Sequence, residues 1–176
     1  MHIFQAQPEH IDANRVGLLD LLTDAVKQGA SIGFLQSLTV DEADAYWDEV
    51  QHAMQDGARL LWLAESSHKV VGAVQLELCR CQNGGNRAEV QKLLVHGVVR
   101  RCGVARSLMQ ALEEKARMLE RGLLFLDTEA GSTAELFYQA CAWTRAGGLP
   151  AYACSPDGAW KPNAIYYKTL IPRSPS

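Results

Sequence analysis

One segment near the middle of the chain constrains the fold most strongly, because an apolar stretch runs through a short basic loop into an amphipathic helix. Residues 89–95 have the composition of a buried strand, and residues 104–120 repeat leucine, methionine and alanine on one helical face. Gly103 separates the two patterns. The chain must therefore place a strand and a helix end to end, with a glycine in the turn between them.

The start of this helix has the chemistry of an anion site. The first turn of a helix leaves up to four N–H groups without partners, and the helix dipole adds positive potential there. Gly103 has no side chain to hold an anion away from those groups, and Arg100, Arg101 and Arg106 bring full positive charges. This combination indicates a phosphate site, although it lacks the lysine of a P-loop and the three glycines of a dinucleotide fingerprint. Taken alone, the pattern also fits a solvated basic helix start.

The remaining segments alternate between helical and extended patterns. Helices are predicted at residues 12–28, from Thr39 to a stop at Gly57, at 104–120 and at 134–142; strands are predicted at 3–5, 60–64, 70–81, 89–95, 123–126 and 164–170. Thr39 and Glu42 have the spacing of a capping box. The order predicts an α+β fold, with a mixed, mostly antiparallel central sheet and helices on both faces. The connection at residues 147–163 is long and rich in glycine and proline, which favours a functional segment.

Composition and charge exclude several classes of protein. The chain has 176 residues, of which 48% are apolar, and we predict a single domain at residues 1–171 with a disordered tail at 172–176. The net charge of −3 gives no general attraction to nucleic acid. No run approaches the roughly 18 apolar residues of a membrane span, and the first residues lack a signal-peptide pattern. We therefore expect a cytoplasmic protein that binds neither nucleic acid nor membrane.

The cysteines and histidines show no pattern of a structural site. The five cysteines are scattered and contain no C-x-x-C pair, which argues against a disulfide framework and a structural zinc site. The five histidines show no ligand spacing either. No metal site is predicted.

Two motifs in this sequence resemble those of a known superfamily. Arg100, Gly103 and Ala105 fill the pattern [Q/R]-x-x-G-x-[G/A] after an apolar strand. Residues 134–143 form a short predicted helix that contains Tyr138 and is followed by a small and an aromatic residue. Both motifs are similar to the signatures of the GNAT superfamily of acyl-coenzyme-A-dependent N-acetyltransferases. That resemblance implies the α+β GNAT fold and an acyl-transfer enzyme.

The resemblance extends over nearly the whole chain. Four further segments are similar to the tabtoxin-resistance acetyltransferases of that superfamily: residues 29–34, 86–93, 121–132 and 162–170. Those enzymes acetylate the amine of a β-lactam amino acid, so the resemblance implies a substrate of that kind. Two positions depart from the superfamily pattern: Gly131 stands where many members have asparagine, and Ala142-Trp143 replaces a Gly-Phe pair.

The resemblance also implies acetyl-coenzyme A as the cofactor and places it on the strand and loop described above. The backbone of Leu93, Leu94 and Val95 would hold the thioester and the pantetheine amides. The phosphate contacts are expected from Arg100, Arg101, Cys102, Gly103, Val104, Ala105, Arg106 and Ser107. Cys102 is interpreted as a bystander thiol, because the family transfers the acyl group directly to the amine.

The catalytic centre implied by the resemblance contains Asp127 and Tyr138. Tyr138 is the candidate general acid for the departing thiolate, and a core tyrosine is the alternative. Asp127 is a candidate ammonium anchor, a candidate base or a structural carboxylate at a strand end. Glu89 either assists the amine or lies on a solvated face. Phe34 and Asn86, together with Asp127, are candidate walls of the acceptor site.

These residues predict an N-acetyltransferase that acts on the amine of a small molecule. One alternative is the same chemistry on another acceptor, such as a protein N-terminus or a polyamine. Another is a non-catalytic protein that senses acyl-coenzyme A, against which the presence of Tyr138 and Asp127 argues. By analogy with the superfamily, a homodimer is expected.

Overall fold

A computed structural model describes residues 1–172 of the chain. Five α-helices and nine strands occur in this part of the chain: α1 Glu9–Ala13, α2 Arg15–Lys27, α3 Val40–Gln55, α4 Val104–Met118 and α5 Thr133–Ala140; β1 His2–Gln5, β2 Arg59–Ser66, β3 Lys69–Leu78, β4 Arg87–Val95, β5 Leu123–Glu129, β6 Thr144–Gly147, β7 Ala153–Cys154, β8 Trp160–Lys161 and β9 Asn163–Thr169. None of the described helices combines the length and the apolar character needed to cross a bilayer.

Seven of the strands form one mixed sheet. Their order is β1-β2-β3-β4-β5-β9-β6, and β7 and β8 form a separate small hairpin. Neighbouring strands of the large sheet are antiparallel except for β4 and β5, which run parallel. The predicted α+β fold with a mostly antiparallel sheet is therefore confirmed.

The central strands are buried on both faces, which explains why their sequences are nearly continuous apolar runs. Side chains alternate between the two faces of a strand. In β2, Trp62 and Ala64 pack into the core beneath α4, whereas Leu61 and Leu63 pack into the core beneath α2 and α3. Helices thus cover both faces of the sheet.

Most predicted elements occur close to their expected positions, with a few differences. The first predicted helix is two helices, because the chain bends at Asn14 between α1 and α2. The capping box of Thr39 and Glu42 is confirmed at the start of α3. The long connection at 147–163 contains the β7–β8 hairpin, and β6 precedes it; neither was predicted. Of the predicted tail, residues 173–176 lie outside the described residues.

Candidate active site

A cleft opens where β4 and β5 separate. The two strands pair only from Arg87–Glu89 to Leu123–Phe125, and no pairing between them follows in the described residues. The edge of β4 that faces β5 is consequently left without a strand partner from Val90 onward. The resulting cavity has a volume of about 500 Å³, and its lining includes Glu89, Lys92, Leu93, Arg100, Asp127 and Tyr138.

A β-bulge at Lys92 changes which face the side chains of β4 occupy. The β3–β4 register shifts at this point, and Lys92 has a φ of 49°. Before the bulge, Ala88 and Val90 pack into the core beneath α4; after it, Leu94 packs into the core beneath α2 and α3. The extra residue inverts the alternation and bends the strand. The bulge therefore helps to keep β4 apart from β5.

The loop between β4 and α4 leaves the start of the helix open. Gly103, the N-cap residue, has a φ of 81°, a left-handed conformation that glycine adopts without strain. No side chain of residues 1–172 caps this helix end, and a Cβ placed on Gly103 would meet no atom within 4 Å. The first-turn N–H groups of α4 are thus available to a ligand. The arrangement has the properties of a phosphate site.

Three arginines lie in this loop and in the first turn of α4. Arg100, Arg101 and Arg106 are all exposed. Arg100 Nε lies 3.5 Å from the carbonyl oxygen of Val95, and Arg100 also lines the cleft. The positive end of the site is therefore continuous with the cavity between β4 and β5.

Helix α2 holds the beginning of the loop in place. The carboxylate of Asp24 accepts the backbone N–H of Gly97 at 2.9 Å, and His96 Nε2 lies 3.3 Å from the carboxylate of Asp20. The residues that follow α2, from Gln28 to Gly33, line the cleft from the other side. One helix thus positions both the approach to the loop and a wall of the cavity.

Tyr138 reaches the cleft from α5. Its side chain is only 7% exposed and packs edge-on against Phe137 and Trp143. No group within residues 1–172 hydrogen-bonds its hydroxyl. Burial raises the pKa of Tyr138, and the nearby charges of Cys141 and Asp127 raise it further. The hydroxyl is therefore held protonated, as a hydrogen-bond donor must be.

Two carboxylates share the sheet face opposite α4. Leu124 and Leu126 of β5 pack beneath α4, so Asp127 points to the other face together with Glu89 of β4. Asp127 is exposed, and Asn163 Nδ2 lies 3.5 Å from its Oδ2. Burial raises the pKa of the Glu89 carboxyl, with further contributions from the negative charges of Asp127 and Glu77. This wall of the cleft attracts cations.

The structure thus brings together part of the predicted site. Glu89, Leu93, Arg100, Asp127 and Tyr138 line one cavity. Contacts of the other phosphate-loop residues and of Leu94 and Val95 with a cofactor stay predictions; the side chain of Leu94 is buried beneath α2 and α3.

Two predicted residues are not part of the cleft wall. The ring of Phe34 lies edge-on to Tyr46 at 5.4 Å and packs against the core beneath α2 and α3. The side chain of Asn86 accepts the backbone N–H of Gly122 at 3.2 Å, at the closed end of the β4–β5 pair. Both side chains take part in local packing and are absent from the lining of this cavity, and their role as acceptor walls stays a prediction.

The cleft also contains residues that the sequence did not predict. Lys92 belongs to the bulge, which interrupts the alternation of side chains between the two faces of the sheet. Tyr152, Lys161 and Asn163 come from the long connection, whose glycine and proline content predicted a function but not particular contacts. The charge of Asp127 raises the pKa of Tyr152, ahead of burial and of the charge of Glu89. The connection therefore contributes directly to the acidic wall.

Comparisons with known proteins agree with this fold. A family profile described as Acetyltransferase (GNAT) domain matches residues 21–150. The ribosomal-protein-alanine N-acetyltransferase from Brucella melitensis has a TM-score of 0.76 at 22% identity, with 97% of this chain and 100% of that chain covered. The structure of yncA from Salmonella typhimurium with its cofactor acetyl-CoA has a TM-score of 0.78 at 17% identity, covering 100% and 97%.

A third similar structure is an aminoglycoside 6′-N-acetyltransferase complexed with coenzyme A. Its TM-score is 0.75 at 17% identity, with 99% of this chain and 100% of that chain covered. At these levels of sequence identity, the three similar structures support the fold and do not identify the substrate.

Proposed function

The chain belongs to the GNAT family of acyl-coenzyme-A-dependent N-acetyltransferases, and we propose that it moves the acetyl group of acetyl-coenzyme A to the amine of a small molecule. The observation that carries this proposal is the cleft between β4 and β5. It connects an uncapped helix start at Gly103 with Tyr138 and an acidic wall. Its volume of about 500 Å³ lies in the range of small-molecule sites.

The donor end of the cleft, residues 100–107, fits a diphosphate. Its first-turn N–H groups have no cap in the described chain, the space above Gly103 is open, and three exposed arginines surround it. The free edge of β4 from Leu93 to Val95 can offer backbone groups to the amides of the pantetheine arm. The residues present thus match the two polar parts of the acetyl donor.

Tyr138 is proposed to protonate the departing thiolate. At ordinary pKa values of about 8.5 for a thiol and 10 for a tyrosine, this transfer is uphill by roughly 2 kcal/mol. Burial of Tyr138 increases that cost. The hydroxyl therefore donates a hydrogen bond to the sulfur first and releases its proton as the carbon–sulfur bond breaks.

The acidic wall is proposed to bind the incoming ammonium and to remove its proton. Asp127 is exposed in the cleft and anchors the cation. Glu89 is the better proton acceptor, because its raised pKa lies nearer to that of an amine. The neutral amine then attacks the thioester carbonyl directly, and no acyl-enzyme forms.

The size of the cleft favours a small acceptor over a protein. A β-lactam amino-acid toxin is the specific candidate, supported by the four segments that resemble the tabtoxin-resistance enzymes. A polyamine or a peptide N-terminus would use the same chemistry, so the acceptor has to be identified by assay.

The deciding experiment is a thiol-release assay with acetyl-coenzyme A and a panel of acceptors: amino acids, a β-lactam amino acid, spermidine and an N-terminal peptide. Titration calorimetry with coenzyme A accompanies it. We expect binding of coenzyme A and acceptor-dependent thiol release with at least one small amine. Binding without release for every acceptor would instead indicate a sensor, and absence of binding would overturn the assignment of the donor end.

A further inference from the structure

Lys92 places an ammonium group in the wall of the cleft, and the proposed mechanism does not use it. The residue forms the β4 bulge, and its Nζ lies 3.6 Å from the position that a Cβ on Gly33 would take. The side chain therefore extends from the sheet to the loop after α2, across the face on which Glu89 and Asp127 lie. Its position is set by the bulge.

This ammonium has no ion-pair partner in the described chain. No carboxylate of residues 1–172 lies within 4 Å of Lys92 Nζ, although Glu89 and Asp127 line the same cavity. Burial lowers the pKa of Lys92 and the charge of Arg59 lowers it further, whereas the charges of Asp127 and Glu89 raise it. Arg59 itself is fully used, since it donates to Glu77 at 2.6 Å and to Gln75 at 3.3 Å. Lys92 is thus a half-buried cation whose neighbouring carboxylates lie beyond ion-pair distance, so its ammonium can still contact an anionic group of a ligand.

The cleft thus contains opposite charges that form no direct ion pair with each other in the described chain. We propose that Lys92 is a subsite for a carboxylate, so that the acceptor is a zwitterion of the α-amino-acid type, with its ammonium on Asp127 and Glu89. This inference rests on the proposed function and names the substrate class of that site. A polyamine would bring a second cation toward Lys92 and is disfavoured by the same geometry.

The other cations of the cleft lie elsewhere. Arg100 belongs to the loop at the donor end. Lys161 comes from the β7–β8 hairpin and also lines a smaller cavity with Glu129 and Ser155. Lys92 is the cation that shares strand β4 with Glu89, three residues away. It is the group placed to bind the second charge of a small zwitterion.

The test compares amines that differ only in a carboxylate: lysine with cadaverine, tyrosine with tyramine, and histidine with histamine. For each pair, kcat/KM is measured by thiol release, and the dissociation constant is measured on protein saturated with coenzyme A. The variants are Lys92→Met, which removes the charge, Lys92→Arg, which keeps it, and Lys69→Met, at an exposed lysine outside the cleft, as the matched control.

We expect the wild type to prefer the carboxylate-bearing member of a pair. Lys92→Met should reduce that preference about tenfold or more, through a higher KM for the amino acid, because a charge-assisted contact is lost. Lys92→Arg should retain most of the preference, and Lys69→Met should leave it unchanged. Coenzyme A affinity and Tm establish that each variant is folded.

The proposal is overturned by equal affinity for both members of every pair, or by a preference that persists in Lys92→Met. Loss of the preference in Lys161→Met but not in Lys92→Met would also overturn it. Failure of the proposed function would give a different result, because no acceptor would then cause release of the coenzyme A thiol. The binding measurements would still decide whether a carboxylate contacts Lys92.

Discussion

The two ends of the cleft are built in different ways. The proposed donor end is one continuous segment, residues 100–107, and the groups proposed to recognise the donor include the uncapped backbone N–H groups at the start of α4. The acceptor end is assembled from Glu89 and Lys92 on β4, Asp127 on β5, and residues of two loops that are distant in sequence. One end depends on local conformation and the other on tertiary packing.

The two ends also differ in how they respond to pH. Backbone amides do not titrate, so the proposed donor end depends on the correct dihedral angles, an open space and the positive charges of nearby arginines. At the acceptor end, burial shifts the pKa of Glu89 upward and that of Lys92 downward. The binding chemistry of that end is therefore obtained at some cost in the stability of the fold.

The largest effect is expected from a change at the donor end. Gly103→Glu should lower coenzyme A affinity by at least about 100-fold, since it would place a carboxylate at the proposed phosphate site, an effect worth about 2.7 kcal/mol or more. Tm should fall by only a few degrees, because the left-handed φ costs about 1–2 kcal/mol and no protein atom is displaced. Calorimetry and thermal unfolding measure the two quantities.

Gly103→Asn is the matched control, because asparagine tolerates the left-handed conformation and carries no charge. It should bind coenzyme A much better than Gly103→Glu. Unchanged affinity in Gly103→Glu would show that the donor lies elsewhere and would remove the contrast between the two ends.

The next effect is expected from the hydroxyl of Tyr138, and it concerns turnover instead of donor binding. Tyr138→Phe should lower kcat by roughly 10²- to 10⁴-fold, the usual contribution of a positioned acid, while coenzyme A affinity stays unchanged. Steady-state kinetics and calorimetry separate the two. Tyr167→Phe, at an exposed tyrosine on β9, is the control. Full activity of Tyr138→Phe would leave Tyr138 with a packing role.

The smallest effect is expected on the stability of the fold when Glu89 is replaced. Because its pKa is raised in the folded state, the folded protein binds this proton more tightly than the unfolded chain does. Stability therefore falls as pH rises from the ordinary value of 4.5 through the folded-state pKa. Glu89→Gln should match the wild-type Tm near pH 4 and exceed it by a few degrees or less at pH 7.

Thermal unfolding across this pH range checks the prediction for Glu89. Glu114→Gln, at an exposed position of α4, should show no such pH-dependent gain. A lower Tm for Glu89→Gln than for the wild type at pH 7 would mean that the Glu89 carboxylate stabilises the fold. The acceptor end would then not reduce stability.

The difference between the two ends also explains what could be predicted from the sequence. The loop and helix start around Gly103 are local, so residue types and spacing were sufficient to predict their geometry. Residue types and spacing do not predict the positions of the Asn86 and Phe34 side chains, because each depends on a contact outside its own segment. Asn86 accepts a hydrogen bond from Gly122, and Phe34 packs edge-on against Tyr46.

The same limit applies to the strands and the hairpin. Alternation predicts which face a residue occupies only while the register is regular, and the bulge at Lys92 interrupts it. The β7–β8 hairpin has two residues in each strand, too few for a periodic pattern. At the break between α1 and α2, Asn14 has a φ of −113° and its side chain donates to the carbonyl oxygen of His10 at 2.9 Å, and the spacing of apolar residues does not indicate this break.

If the donor occupies the gap in the middle of the sheet, as we propose, the lifetime of this protein should depend on the donor. An internal edge without a neighbour is a place where a chain opens and where proteases and other strands gain access. A pantetheine arm lying along β4 would act as the missing strand, and mass action would then protect the folded state as donor concentration rises. Scarcity of the acyl carrier would therefore lower the amount of this enzyme as well as its turnover.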